Sequence, residues 1–252
     1  MLELIILSLL QGVTEFLPIS SSSHIIIISK FFYFTQENLL TNISLHIGSF
    51  LAVLVFFRND LINFVKNKKI FLLILTSSLP IMIVGFFLTK TNLINFLQTL
   101  EIIGWTTIIF GILLYISDKF KQNRFIKNNL GLSDAIFIGI VHAISLVPGV
   151  SRSGVAITAG RLLGYSRVDS AKISFLLSIP TLFAVSIYGL FEIYSNSVLE
   201  INNFNIMSIF LSFFFSYITI KYFLIFLKKF SLTIFVVYRV ILGIIIISYV
   251  YQ

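Results

Sequence analysis

Two short stretches of this chain combine residue types that could act on a phosphate group. The first, QGVTEFLPISSSSH (Gln11 to His24), holds a carboxamide, a carboxylate, four consecutive serines and a histidine. The second, PGVSRSG (Pro148 to Gly154), holds two serines and an arginine. A guanidinium binds phosphoryl oxygens as a fork, and an activated hydroxyl or imidazole can attack phosphorus. Together these groups predict a site for phosphate chemistry.

The spacing of these groups suggests a role for each. Gln11 and Glu15 are four residues apart, so on a helix they lie on one face, where their oxygens would hold a hard divalent cation such as Mg²⁺ or Ca²⁺. Ser21 is a candidate nucleophile. His24 is its candidate base or acid, or itself takes the phosphoryl group. Arg152 would bind the phosphate and stabilise the charge of the transition state. The sequence does not decide between Ser21 and His24 as nucleophile.

The other serines of both stretches form a predicted anion site. Pro18 ends the first helix, and the serines after it lie where backbone NH groups at the start of the next helix are unpaired. The serines expected to contact substrate are Ser20, Ser22, Ser23, Ser151 and Ser153. The structural alternative is an ion pair between Glu15 and Arg152, with serines that only satisfy the backbone. That alternative leaves Gln11 and His24 without a role.

The elements that must position these residues lie in a membrane. Of the 252 residues, 58% are hydrophobic and 11% are charged, which excludes a soluble fold with a charged surface. The net charge of +8 arises in short loops between apolar segments, where Lys and Arg set topology, so it does not indicate nucleic-acid binding. The chain has no cysteine, which excludes a disulfide framework, a thiolate metal site and a cysteine nucleophile.

Six apolar segments, some with their uncharged flanks, are long enough to cross a hydrocarbon core of roughly 30 Å. The predicted spans are Ile43–Phe57, Ile70–Thr89, Ile102–Ser117, Ile173–Leu190, Phe204–Leu227 and Leu232–Val250. The loops 58–69 and 118–127 are strongly basic, which places both in the cytoplasm.

Two segments do not fit as spans, because the loop charges put both ends of each segment on one side of the membrane. Residues 1–35 and 129–166 each consist of two short apolar stretches around a polar centre that contains proline. A broken helix is tolerated at membrane depth only where it is buried in protein or lines a cavity. We therefore predict that both segments are re-entrant hairpins.

An internal repeat supports this arrangement. A shift of 130 residues places proline on proline and Ser21 on Ser151. Because a hairpin and three spans cross the membrane an odd number of times, the second copy must be inverted. The predicted fold is an all-α polytopic membrane protein with one membrane domain of two inverted repeats, 1–128 and 129–252. Each repeat is a re-entrant helical hairpin plus three transmembrane helices, and the hairpin tips can meet inside the membrane.

The two motifs, in this order and in a chain of this length, resemble the undecaprenyl-diphosphate phosphatase family of bacteria, the bacitracin-resistance type. The resemblance covers essentially the whole chain and includes the family's E/Q-xxx-E element, its serine and histidine, and its PGxSRS core. It implies hydrolysis of undecaprenyl diphosphate to undecaprenyl phosphate, which recycles the carrier lipid for peptidoglycan precursors. It also implies a multi-pass protein of the bacterial inner membrane whose site opens towards the periplasm.

The resemblance extends to individual positions of the second motif. We also expect Gly149 and Gly154 to contact the substrate. The family pattern continues as PGxSRSxxT, whereas this chain has Ala156 at the threonine position and Thr158 two residues later.

A transporter or flippase for a lipid phosphate is the alternative from another functional class, because inverted repeats with broken helices are typical of transporters. A transporter needs a phosphate-binding arginine but neither a nucleophile nor a metal, so Ser21, His24 and Glu15 favour the phosphatase. A structural scaffold would explain none of the charges. The expected partner is a polyprenyl diphosphate lipid within the membrane, without nucleic acid, and the sequence allows a homodimer.

Three further polar residues lie in apolar segments. We expect His46 and His142 to be hydrogen-bonded helix residues rather than ligands. Arg239 is costly in the last span, so it either reaches the site or extends to the membrane surface.

Overall fold

The computed structural model describes residues 2–32, 39–66, 68–91, 94–126, 130–195 and 202–252. The predicted hairpin ends at Met1, Thr35 and Asn129 lie outside these ranges, as do Lys127 of the second basic loop and the side chain of Ser22. The described residues are mostly helical and contain no β-strand.

The helices are numbered in chain order, and a 3-10 turn at Ile144–Leu146 follows α8. Their bounds are α1 Leu2–Thr14, α2 Ser21–Phe32, α3 Leu39–Phe56, α4 Arg58–Lys66, α5 Lys68–Lys90, α6 Ile94–Leu97, α7 Leu100–Asp118, α8 Leu132–Ala143, α9 Arg152–Leu162, α10 Arg167–Ser195, α11 Asn203–Leu227 and α12 Thr233–Val250.

Within the described ranges, six helices are long and apolar enough to cross a membrane, namely α3, α5, α7, α10, α11 and α12. Each coincides with one of the six predicted spans, so this is a multi-pass membrane protein. The predicted loop 58–69 differs, because most of it forms the short helix α4. Asp60 in the first turn of α4 favours a helix there, since an acidic side chain complements the positive end of the helix dipole.

Two pairs of short helices, α1 with α2 and α8 with α9, contain the chemical motifs. Helix α1 has 13 residues and is therefore about 20 Å long, too short to cross a membrane. It ends at Thr14, earlier than the predicted end at Pro18, and a turn covers the residues between them. Proline disfavours helical backbone in the residue before it, so the helix cannot continue through this region unbroken.

The two short-helix pairs pack in matching ways. Helix α1 lies against α11, and α8 lies against α5. A Cβ atom on Gly12 of α1 would lie 2.5 Å from Cβ of Phe215, and one on Gly139 of α8 would lie 2.6 Å from the carbonyl oxygen of Ser77. Only glycine allows these approaches, so each pair is seated closely against a spanning helix. The spans also pair with one another, α3 with α10 and α7 with α12.

A buried carboxylate fixes the end of the second pair. Asp118, the last residue of α7, accepts hydrogen bonds from Arg167 Nε at 2.6 Å and Nη2 at 3.0 Å. It also accepts from the backbone NH of Leu232 at 3.2 Å. Arg161, the penultimate residue of α9, donates from Nη2 to the Asp118 carbonyl oxygen at 3.0 Å. Asp118 therefore joins α7 and α9 to the starts of α10 and α12.

A second set of polar side chains, Arg124, Asp134 and Tyr165, meets at the start of α8. Tyr165 donates its hydroxyl hydrogen to Asp134 at 2.6 Å, and Arg124 pairs with the same carboxylate at 2.6 Å. Burial raises the pKa of Tyr165 above its usual range, and the hydrogen bond to Asp134 raises it further. Tyr165 therefore remains a hydrogen-bond donor that attaches the start of α8 to the turn before α10.

Candidate active site

In each pair of short helices, a serine with unusual backbone geometry lies between the two helices. We call the connecting segment of the first pair, residues 15–24, the first tip, and that of the second pair, residues 147–154, the second tip. Ser20 has a φ of 73° and Ser151 a φ of 70°, and no other non-glycine residue in the described part of the chain has a positive φ. Ser20 directly precedes α2, and Ser151 directly precedes α9. The structure therefore equates Ser20 with Ser151, and the predicted match of Ser21 with Ser151 is wrong by one residue. The cause is a connection after Pro148 that is one residue longer than the one after Pro18.

The acidic part of the site is a chain of hydrogen bonds. Ser21 donates from Oγ to Glu15 Oε2 at 2.8 Å, and Gln11 donates from Nε2 to the same oxygen at 3.1 Å. Gln11 Nε2 also lies 3.0 Å from Nδ1 of His46 on α3. Gln11 is 1% exposed and Glu15 5% exposed. The prediction that Gln11 and Glu15 share a face is confirmed, and His46 is hydrogen-bonded as predicted, although its partner belongs to the site.

Arg152 faces the carboxylate from the other tip. Its Nη1 atom lies 3.4 Å from Glu15 Oε1, so the charges attract each other without a normal hydrogen bond. Neither atom has a hydrogen-bond partner within the described ranges. The Arg152 side chain is 26% exposed, whereas that of Glu15 is 2% exposed. The guanidinium therefore keeps donors available for an anion, which a closed structural ion pair would have used.

His24 has different neighbours from those the sequence suggested. Nδ1 lies 2.6 Å from the carbonyl oxygen of Ser20, and Nε2 lies 2.5 Å from the Tyr238 hydroxyl. A carbonyl oxygen only accepts, so Nδ1 carries a proton and Nε2 of the neutral ring accepts from Tyr238. The ring bonds neither to Ser21 nor to Glu15, and a direct action of His24 on Ser21 stays a prediction. Tyr238, which the sequence analysis missed, had no signal beyond its position beside Arg239.

The remaining predicted serines hold the tips together. Ser153 donates from Oγ to the carbonyl oxygen of Leu17 at 2.6 Å, which joins the second tip to the first. Ser20 Oγ is hydrogen-bonded to Ser23 Oγ at 2.9 Å, and Ser151 Oγ accepts from the backbone NH of Gly154 at 3.1 Å. These hydroxyls give the tips a defined shape around the site.

Both predicted glycines occupy crowded positions. Gly149 has a φ of 90°, and a Cβ atom there would lie 2.0 Å from Thr106 Oγ1. A Cβ atom on Gly154 would lie 2.9 Å from Arg239 Nη1. The positive φ and the contacts require glycine at position 149, whereas position 154 is crowded less severely, and contact of either glycine with substrate stays a prediction.

The Arg239 side chain of α12 is hydrogen-bonded to both tips. It is fully buried and does not extend to the membrane surface. It donates to the carbonyl oxygens of Pro18 at 3.3 Å, Gly149 at 2.9 Å and Val150 at 3.1 Å. Its Nε donates to Thr107 O on α7 at 3.2 Å. The only sequence signal for this role is an arginine inside an apolar span.

Two buried oxygens fit a hard cation. Oε1 of Gln11 and Oε1 of Glu15 have no hydrogen-bond partner in the described chain. A buried polar atom without a partner is costly, and carboxylate and amide oxygens are ligands that Mg²⁺ and Ca²⁺ prefer. The described residues include no group of three or more His, Cys, Asp or Glu side chains that could hold a metal ion. Phosphate oxygens and water would therefore have to complete the coordination.

An apolar cavity of about 290 Å³ lies between α3, α4, α5 and α10. Phe50, Phe71 and Phe183 are among its lining residues. Phe50 lies one helical turn after His46 on α3, so the cavity begins close to the polar site.

The same residues lie within a known family pattern. The model of the family described as "Bacitracin resistance protein BacA" matches residues 4–245, a range that includes both tips and Arg239. The chain belongs to this family. Curated relatives named undecaprenyl-diphosphatase support the assignment. The one from Pelagibacter ubique (strain HTCC1062) is 45% identical over 252 residues, which are 100% of this chain and 98% of the relative. Those from Alcanivorax borkumensis and Jannaschia sp. are 36% and 34% identical, over 96% and 98% of both chains respectively.

One position departs from the BacA-type motif. Ala156, at the place of the family threonine, is fully buried in α9. Thr158 donates from Oγ1 to the carbonyl oxygen of Gly154 at 2.9 Å, within the same helix. Its hydroxyl hydrogen is thus used inside α9, and a role for Thr158 at the site stays untested.

Proposed function

We propose that this protein is an integral-membrane hydrolase that converts undecaprenyl diphosphate to undecaprenyl phosphate and inorganic phosphate. Its similarity to undecaprenyl-diphosphatases over the whole chain supports this activity. The observation that carries the proposal is the Ser21 hydroxyl, which donates to a buried carboxylate that faces an arginine from the opposite tip. The reaction would return the carrier lipid to cell-wall synthesis.

Ser21 is the nucleophile that this geometry favours. Glu15 Oε2 takes the proton of Ser21 Oγ as that oxygen bonds to the terminal phosphorus. The bond from this phosphorus to the bridging oxygen breaks, and the bridging oxygen keeps the electron pair in undecaprenyl phosphate. Glu15 then releases its proton to solvent and takes one from a water molecule whose oxygen bonds to the phosphorus of the phosphoserine, while the bond from this phosphorus to Ser21 Oγ breaks and Oγ keeps the electron pair. Inorganic phosphate leaves, and Glu15 returns the proton to Ser21 Oγ.

The rest of the site would bind and orient the diphosphate. Arg152 presents its guanidinium to the phosphoryl oxygens, and α2 and α9 both begin beside it, with the positive ends of their dipoles at the site. Gln11 and Glu15 would hold Mg²⁺ or Ca²⁺, which when bound neutralises charge on the phosphate oxygens. His24, whose Nε2 can accept a proton or a phosphoryl group, is the alternative nucleophile.

The architecture we propose has two inverted repeats, 1–128 and 129–252, each with a re-entrant hairpin. The matching contacts of α1 with α11 and of α8 with α5 support it. As the family resemblance implies, the protein would lie in the bacterial inner membrane with its site open to the periplasm, and the basic loops 58–69 and 118–127 would face the cytoplasm. The lipid tail would lie among aromatic side chains such as Phe50, which lines the apolar cavity. Both tips come from one chain, and a homodimer stays a prediction.

The test is phosphate release from a long-chain polyprenyl diphosphate by detergent-purified protein, with and without EDTA. We expect release that requires a divalent cation, and Ser21→Ala should lower it by about 10³-fold or more. Ser44→Ala is the matched control, because Ser44 is buried on α3 and donates to the Leu40 carbonyl oxygen in its own helix. To identify the nucleophile, a reaction with substrate labelled on the terminal phosphate is quenched with acid, and the label that stays on the protein is measured. Phosphoserine is stable in acid and keeps the label, whereas phosphohistidine is labile and loses it.

Transport of a lipid phosphate is the second candidate, favoured by the two broken-helix tips. Transport would leave the Ser21–Glu15 hydrogen bond without a chemical role. If folded protein releases no phosphate with any divalent cation, the hydrolase is excluded and transport becomes the better explanation.

A further inference from the structure

We infer that His46 is a positioning residue that orients the Gln11 carboxamide so that its oxygen faces the cation site. The inference rests on the proposed function of Gln11 and Glu15 as cation ligands. It concerns a residue on a spanning helix, outside both sequence motifs.

The contacts of one nitrogen atom define the amide orientation. A carboxylate oxygen carries no proton and only accepts, so the Gln11 atom 3.1 Å from Glu15 Oε2 must be the donor, Nε2. The same nitrogen lies 3.0 Å from His46 Nδ1. An amide nitrogen donates but does not accept, so Nδ1 of His46 accepts and the proton of the neutral ring is on Nε2.

Both hydrogen bonds of Gln11 Nε2 are needed to fix the orientation of the amide. The hydrogen bond to Glu15 alone would let the amide rotate about that bond. The second hydrogen bond, to His46, fixes the plane of the amide and therefore the direction of Oε1. That oxygen is buried and has no hydrogen-bond partner in the described ranges, as expected for an atom that awaits a ligand.

A glutamine needs such an orienting residue more than a glutamate does. A carboxylate presents an oxygen in either flip of its terminal group, whereas an amide presents its oxygen in only one. This chain has the amide, Gln11, at this position. His46 thus supplies by a hydrogen bond the orientation that a second carboxylate would provide by symmetry.

The part of α3 that carries His46 is well anchored. Leu45, the preceding residue, accepts a hydrogen bond at its carbonyl oxygen from Ser212 of α11 at 2.7 Å. Ser49 is hydrogen-bonded to Ser212 at 3.1 Å and to Ser216 at 3.0 Å. These bonds fix the position of α3 against α11 and therefore the position of His46 beside Gln11.

The test is binding of Mn²⁺, a spectroscopic probe for Mg²⁺ and Ca²⁺, measured by electron paramagnetic resonance on the full-length protein without substrate. We expect His46→Leu to weaken Mn²⁺ binding by about 10- to 100-fold. His46→Asn places an acceptor oxygen near the position of Nδ1 and should restore binding to within about threefold of wild type. Ser44→Ala on the same helix should bind as wild type does.

Gln11→Glu separates orientation from general damage to the helix. In that background, His46→Leu should change Mn²⁺ binding by less than about threefold, because a carboxylate needs no orienting partner. An equal loss in both backgrounds, or wild-type affinity in His46→Leu alone, would overturn the role of His46. Failure of the wild-type protein to bind Mn²⁺ would instead refute the cation site itself, and this inference with it.

Discussion

The first tip carries the carboxylate, hydroxyl and imidazole of the candidate site, whereas the second tip carries its arginine. The backbone nevertheless turns in the same way at Ser20 and Ser151, each with a positive φ directly before a helix. Residues held in this region cost of order 1–3 kcal/mol and persist only where surrounding contacts impose them. A serine with positive φ therefore precedes a helix start at both tips, and the candidate site takes its side chains from both.

The contacts that impose this geometry differ between the tips. Arg239 bonds one carbonyl oxygen of the first tip, at Pro18, and two of the second, at Gly149 and Val150. Thr106 adds a hydrogen bond to the Pro148 carbonyl oxygen at 2.7 Å. These bonds anchor the second tip, which carries Arg152, the candidate phosphate ligand.

Removal of the Arg239 side chain should have the largest effect, because it breaks hydrogen bonds to both tips. Arg239→Met would leave four buried carbonyl oxygens without this donor, and each such loss costs about 1–3 kcal/mol. We expect a lower Tm in detergent and a loss of phosphate release of about 100-fold or more, since small misplacements of reacting groups are costly.

The control for this prediction is Arg58→Met, which removes an exposed arginine at the start of α4. Arg239→Lys should fall between wild type and Arg239→Met, because an ammonium cannot span both tips. Wild-type Tm and phosphate release in Arg239→Met would show that the tips hold their positions without it.

Glycine and alanine substitutions at the two strained serines should have a smaller effect. Ser151→Ala keeps a Cβ atom at positive φ and loses the hydrogen bond to Gly154, so it should cost about 1 kcal/mol. Ser151→Gly loses the same bond but relieves the strain, and should cost only about a few tenths. Ser20→Gly should likewise be more stable than Ser20→Ala, as measured by thermal unfolding. The opposite order at either position would mean that the two tips are not geometrically equivalent.

Thr158→Ala should have the smallest effect. Its hydroxyl is bonded within α9, so we expect phosphate release within about twofold of wild type. Ser153→Ala in the same helix should lower release more, because that hydroxyl joins the second tip to Leu17. A tenfold loss in Thr158→Ala would show that this hydroxyl reaches the substrate after all.

Local patterns were sufficient for part of the site. The four-residue spacing of Gln11 and Glu15 predicted their shared face, and Arg152 was identified because a charge in an apolar context is costly. The register between the tips was missed by one residue, because identical neighbouring serines cannot reveal a longer connection after Pro148. His46 was assigned to the helix alone, since nothing in its own segment points to Gln11.

The sequence by itself determined the six spans and the residue types of the site, because the thickness of a membrane sets the length of each apolar run. Only the tertiary structure decided which groups meet. It paired Ser21 with Glu15, brought His24 to Tyr238, and placed Arg239 within hydrogen-bonding distance of both tips. Arg239 and Pro18 are 221 positions apart in the chain, and a contact over that distance depends on how all the helices between them pack.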